Sequence, residues 1–172
     1  MKKNIIFLIL FFLTGCISET ITTTKIPCPS VFFAAEHNKY IASNIQPISV
    51  DELSYRAELN NYSFISDCSI KDGMVQADLS ILFIITPYLV EVSKVSLPFY
   101  VGILNEGNTL IDMQYYRVEG NLKTDSESEQ YIEKELKTTI AIKVSSQNYK
   151  PNTENSIVVG FMLDKEKLDI LN

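Results

Sequence analysis

Asp72-Gly73-Met74-Val75-Gln76-Ala77-Asp78-Leu79-Ser80-Ile81-Leu82-Phe83-Ile84-Ile85 is the stretch that decides the fold class. Every second residue from Val75 to Ile85 is apolar, whereas Gln76, Asp78 and Ser80 between them are polar. Successive side chains of a strand point to opposite faces, so this spacing predicts a strand with one buried face. Asp72-Gly73 in front of it is a hairpin signal, because both residue types tolerate positive φ. From Leu82 onward the second face also turns apolar, and Pro87-Tyr88-Leu89 follows. A strand end that is apolar on both faces is either buried more deeply or presents a patch to a partner. Leu82, Ile84, Pro87 and Tyr88 are therefore the candidate partner patch.

The same alternation spreads outward on both sides. Upstream, Val31 to Ala34 is a short candidate strand, and residues 53–70 place Leu53, Tyr55, Ala57 and Leu59 on one face. At Asn60-Asn61 the phase slips and Tyr62 and Phe64 take over, which a bulge near Asn60 would reconcile. Downstream, Val95, Leu97, Phe99, Val101 and Ile103 form an inward row, with Pro98 pointing to an edge strand or a bulge. Asn105-Glu106-Gly107-Asn108 reads as a hairpin loop with Gly107 at the left-handed position, and Leu110–Gly120 as its partner strand. Ile140, Ile142 and Val144, then Ile157, Val159, Phe161 and Leu163, supply two more runs. About seven strands with turns at short intervals predict an all-β fold: an antiparallel two-sheet β-sandwich of immunoglobulin-like type, one domain over 28–172. Two stretches depart from period two. Ser126–Leu136 has helical spacing at Tyr131, Ile132 and Leu136, and Asp164–Leu171 reads as a short C-terminal helix capped by Asp164.

Composition narrows the function classes. The chain has 172 residues, a net charge of −6 and a single histidine, His37. An acidic balance argues against nucleic-acid binding, which needs clustered Lys and Arg to displace phosphate counterions. One imidazole excludes any zinc or acid–base site built on two. No nucleophile-elbow, phosphate-loop or zinc-protease pattern is present, so neither a catalytic residue nor a metal or other cofactor is expected, and the chain reads as a non-enzyme. Asp125, Glu127, Glu129, Glu133 and Glu135 are acidic without the oxygen spacing and the turn glycine of a calcium loop. They suit the first turns of a helix. His37 beside Glu36 reads as an exposed loop residue, and Asp67, Asp72 and Asp78 as turn and outer-face residues. Tyr115-Tyr116, Phe99-Tyr100 and Tyr88 could make an aromatic platform, although aromatics at such positions more commonly cover the core.

The N-terminus gives an address. Lys2 and Lys3 precede the apolar run Ile5–Leu13, which as a helix would rise only about 14 Å against a hydrocarbon core of roughly 30 Å. This reads as a secretory signal and not as a membrane span. Its end, Leu13-Thr14-Gly15-Cys16, resembles the lipobox of bacterial lipoproteins. That resemblance implies cleavage between Gly15 and Cys16, acylation of the Cys16 thiol and a membrane anchor through N-terminal acyl chains, with 1–15 as signal peptide. Two or three chains anchor stably where one does not. Residues 16–27, Thr-rich and ending at Pro27, read as the lipidated Cys followed by a flexible tether. Two cysteines then remain, Cys28 and Cys68. In an oxidising compartment they pair most simply, closing a loop of about 40 residues, and two free buried thiols are the alternative.

Several motifs in order extend the likeness: Cys28-Pro29-Ser30-Val31 after the tether, Tyr55-Arg56-Ala57-Glu58 before Cys68, Pro98-Phe99-Tyr100-Val101-Gly102-Ile103, and Val159-Gly160-Phe161-Met162-Leu163 before a short helix. In these the chain resembles a family of small lipoproteins of alphaproteobacteria, of rickettsial type. It departs from that pattern at Met162, where Gln is usual, and at Thr86-Pro87-Tyr88, where Arg-Gly-Pro is usual. The resemblance implies a β-sandwich of the cell envelope with a Cys28–Cys68 disulfide. It implies no activity. Together these readings predict a lipid-anchored protein on the periplasmic face of the outer membrane that engages an envelope protein partner or supports envelope assembly. The alternative is a periplasmic module that binds glycan or another small ligand.

Overall fold

The computed structural model describes residues 23–89, 93–121, 134–145 and 155–171. Its elements in chain order are β1 (Thr24–Lys25), β2 (Ser30–Phe33), β3 (Lys39–Ser43), β4 (Leu53–Phe64), β5 (Ser69–Lys71), β6 (Met74–Pro87), β7 (Lys94–Leu104), β8 (Leu110–Asn121), β9 (Lys134–Ser145), β10 (Ser156–Phe161) and α1 (Lys165–Leu171). Single 3₁₀ turns at Ala35–His37 and Val50–Glu52 lead into β3 and β4. The strands form two sheets packed face to face, an all-β sandwich with a short C-terminal helix.

The strand read first is the spine of sheet A. One edge of β6 pairs with β9 along its length, and the other pairs first with β5 and then with β4. Beyond these lie β1, on β5, and β3, on β4. Asp72 and Gly73 have φ of 52° and 72° between the paired residues Lys71 and Met74, the two-residue turn whose twist matches the strands. The β4–β6 register shifts between Leu59 and Asn61, so Asn60 is the bulge residue the phase slip requires.

Sheet B has the order β2-β10-β7-β8. Its β2–β10 pair is parallel, so the sandwich is not wholly antiparallel. Pro98 lies in β7, an interior strand and not an edge. It is tolerated there because β10 ends at Phe161: the Met162 amide still donates to the Pro98 carbonyl at 3.0 Å, and only the return bond is missing. In the Asn105–Thr109 loop the left-handed residue is Asn108, φ 56°, and not Gly107. The Asn105 side chain explains this, since its Oδ1 accepts from both the Gly107 and Thr109 amides at 3.0 Å and fixes the loop around itself.

The two inner faces meet in one core. Phe83 of sheet A sits 5.4 Å from Phe99 and 5.8 Å from Phe161 of sheet B, ring centre to ring centre. All three are fully buried, each stabilising the fold by about 1.5–3 kcal/mol by leaving water. Tyr116 stacks on Phe99 at 5.4 Å and closes one side. There the Tyr116 hydroxyl donates to Gln114, whose Nε2 donates to Asp112 and to the Lys143 carbonyl, joining β8 to β9 across the seam between sheets. Tyr55 ties the sheets at another point, its hydroxyl donating to the Ser96 carbonyl at 3.1 Å and accepting from the Ser96 amide.

Cys28 and Cys68 form a disulfide with Cα atoms 5.1 Å apart. Next to it, Thr24 and Lys25 of the expected tether run along β5 as β1, and the Ile26 amide donates to the Cys68 carbonyl at 2.9 Å. The helix expected over 126–136 is corrected at its end: Leu136 belongs to β9, while 126–133 lie outside the described residues. The physical reason is the unbroken twelve-residue pairing of β9 with β6, which places Leu136 opposite Phe83. The C-terminal helix is where the sequence puts it, with Asp164 Oδ1 accepting from the Lys167 amide at 2.9 Å as N-cap.

Candidate functional site

The candidate patch divides in three. Leu82 and Ile84 share the outer face of sheet A and are half-buried. Register places Asn61 and Lys137 beside Leu82, and Glu58 and Glu135 beside Ile84, so charged side chains flank both. Pro87 is buried on the opposite, inner face. Tyr88 follows the strand end, 39% exposed, with its amide donating to the Ser54 carbonyl at 2.9 Å. Gly15 and Cys16 lie outside the described residues.

The more apolar surface is the outer face of sheet B. Its middle row runs Phe32, Val158, Gly102 and Met113 across all four strands. The row on one side is Gly160, Tyr100 and Tyr115, and on the other Leu104 and Leu110. None of these carries a charge. Tyr115 is 64% exposed, Phe32 57% and Leu110 49%. The nearest cation in register, Arg117, is bonded through Nη1 to Ser96 Oγ. Gly102 leaves the centre of the face low: a Cβ there would lie 3.3 Å from a Leu110 methyl, which leans over the missing side chain.

One corner of this face is built on His37. Its Nδ1–H donates to the Phe161 carbonyl at 3.0 Å, and its ring meets Tyr100 edge-on at 5.7 Å. The Tyr100 ring lies over Gly160, where a Cβ would come within 2.6 Å of it. Burial pushes the Tyr100 hydroxyl above its ordinary pKa. His37 is thus a packing residue and not the exposed loop residue of the sequence reading. The aromatic pairs are split by strand alternation: Tyr100 and Tyr115 face out side by side, while Phe99 and Tyr116 stack in the core. Asp72 occupies its turn, and Asp67 pairs with Lys25 at 2.5 Å on the surface. Asp78 accepts from Ser66 Oγ at 3.1 Å.

Among the described residues, no three of His, Cys, Asp and Glu gather where they could hold a metal ion, and no helix is long and apolar enough to cross a membrane.

The face was missed because its signal is distributed. Tyr100, Gly102 and Leu104 on β7, Val158 on β10 and Phe32 on β2 each make a strand apolar on its second face. Only the topology reveals that these strands are neighbours, β2 and β10 coming from opposite ends of the chain. Compared with protein-family models, curated proteins and solved structures, the chain matches none.

Proposed function

We propose that this chain is a lipid-anchored protein of a bacterial envelope that works without catalysis, by docking an envelope protein on the outer face of sheet B. One observation carries this reading: among the described residues, three adjacent rows of that face, including the exposed Phe32 and Tyr115, hold no charged residue. Monomeric soluble domains seldom leave such a surface to water, and aromatic residues surrounded by near-neutral contacts are the usual energetic centre of a protein interface. The anchor supplies the rest. Acyl chains on Cys16 confine the domain to the plane of a membrane, so a partner in the same membrane meets it at raised effective concentration.

In-cell crosslinking followed by mass spectrometry tests the docking. Phe32→Lys and Tyr115→Lys should each remove a dominant crosslink to one envelope protein while the thermal melting of the domain stays unchanged. Leu82→Asp should leave it in place. Loss with Leu82→Asp and survival with the other two would move the docking surface to sheet A. Cys16→Ala tests the anchor separately, by shifting the protein from the membrane pellet to the soluble fraction.

A further inference from the structure

We propose a second and separate site on the outer face of sheet A: a shallow cleft beside the β4 bulge that binds a single saccharide unit. It is independent of docking on sheet B, since the two outer faces point away from each other. The cleft measures about 250 Å³ and its floor is formed by Ser80 and Leu82 of β6. Asn61, Tyr62 and Ser63 of β4 make one wall, and Glu135 and Lys137 of β9 the other. Ser80 is the observation that points to a ligand. The residue is 1% exposed, and its buried hydroxyl has no hydrogen-bond partner in the protein. Folded proteins keep few such groups, and those they keep call for a cause. Serine here is not a demand of the strand, because its core-facing neighbours Leu79 and Ile81 already supply the buried apolar surface.

The donor set selects the ligand class. A sugar ring presents hydroxyls that both donate and accept along its rim, and an apolar C–H face. Leu82 offers the floor for that face. The Asn61 Nδ2 donates, its Oδ1 already accepting from the Tyr62 amide at 2.8 Å, while the Ser63 and Ser80 hydroxyls serve either role, Glu135 accepts and Lys137 donates. Glu135 and Lys137 carry opposite charges, so the cleft favours neither an anion nor a cation. The volume equals about eight waters at about 30 Å³ each, which suits one ring and not a chain of them. The bulge at Asn60 shapes the site: the extra residue turns β4 and sets Asn61 and Ser63 opposite Leu82 and Ser80.

The test is a titration of the isotope-labelled full chain in a zwitterionic detergent, so that no sugar headgroup competes, with N-acetylglucosamine and with glucose as probes. Amide shifts should concentrate at 61–63, 80–82 and 135–137, with a dissociation constant on the order of 1 mM for at least one probe. Ser80→Ala removes an unsatisfied hydroxyl and should fold at least as well, while weakening binding roughly fivefold. Asn61→Ala, on the exposed wall, should weaken it by a similar factor. No shift with either sugar overturns the proposal. So does unchanged affinity in both variants, and so do shifts centred on Tyr100 and Tyr115 instead of the cleft.

Discussion

Replacing both Cys28 and Cys68 by Ala should lower the stability of this domain by about 4 kcal/mol, and the size of that loss follows from the loop they close. The cysteines are 40 residues apart in sequence. In the chain-entropy description, opening a loop of this length returns conformational freedom to the unfolded chain worth about 4 kcal/mol at 25 °C. A modest cavity term adds to it, because Cys68 is fully buried and Ala does not refill the space of the sulfur. Ala is the right replacement, since Ser would bury a hydroxyl. Urea unfolding followed by far-ultraviolet circular dichroism reads the loss directly. With a slope of about 2 kcal/mol per molar urea, the midpoint should fall by about 2 M. The slope itself should rise slightly, because an unlinked unfolded chain exposes more surface. Reduced wild-type protein should follow the variant. A midpoint shift below about 0.5 M at unchanged slope would refute the reasoning, since it would mean the unfolded chain is already confined without the crosslink.

Three further changes probe other joints of the structure. Tyr55→Phe removes both bonds to Ser96 between the sheets and should cost about 1–2 kcal/mol in thermal unfolding. Burial raises the Tyr55 hydroxyl above its ordinary value, so its contribution is intact below about pH 10 and fades as pH rises through the folded value; the Phe variant should lose less stability over that window, and an identical alkaline profile would count against the assignment. Asp164→Ala should unravel α1 at a local loss of about 1 kcal/mol, seen as faster amide exchange at Lys167 and Leu168. Lys167 holds the Asp164 carboxyl below the usual range, so the cap is intact above about pH 4 and weakens as pH falls through the lowered value, whereas Asp164→Asn should cap without that acid transition. Gly160→Ala places a Cβ 2.5 Å from the Tyr100 hydroxyl oxygen and should destabilise by about 1–3 kcal/mol; combined with Tyr100→Ser the loss should be less than additive.

What the chain discloses before folding is what depends on period and on local turn chemistry. The β6 alternation, the Asp72-Gly73 turn, the Asn60 bulge and the Asp164 cap are each written in a few consecutive residues, and each stands in the structure. β3 was not legible, because Lys39-Tyr40-Ile41-Ala42-Ser43 has only Ile41 deeply buried and acquires its pairing from β4. β1 is two residues long and exists because β5 and the disulfide hold it. The same limit governs the surfaces. Leu82 and Ile84 stand out as a local apolar run, yet the acidic and basic residues that flank them come from β4 and β9. The sheet B face and the Ser80 cleft are assembled from strands whose adjacency no local pattern encodes.

Under the proposed lipid anchor, the short β1 strand would set the length of a leash. Were Cys16 lipidated as proposed, eight residues of chain would separate the lipid from Thr24, where pairing to Ile70 moors the strand. Eight residues reach at most about 27 Å; without β1 and the crosslink the chain could pay out to Ser30, about 48 Å. Under the proposed anchor, the mooring would also choose which pole of the sandwich faces the bilayer. Thr24 lies beside Ile70, close to the Asp72-Gly73 turn, and Ser30 aligns through Ser156 with Leu104 at the Asn105–Thr109 loop. Those two turns would sit low, and Tyr88 and α1 would stand at the far pole. The sheet B face would then rise from the membrane like a wall, open sideways, and a protein travelling in the same bilayer would meet it edge to edge without leaving the surface.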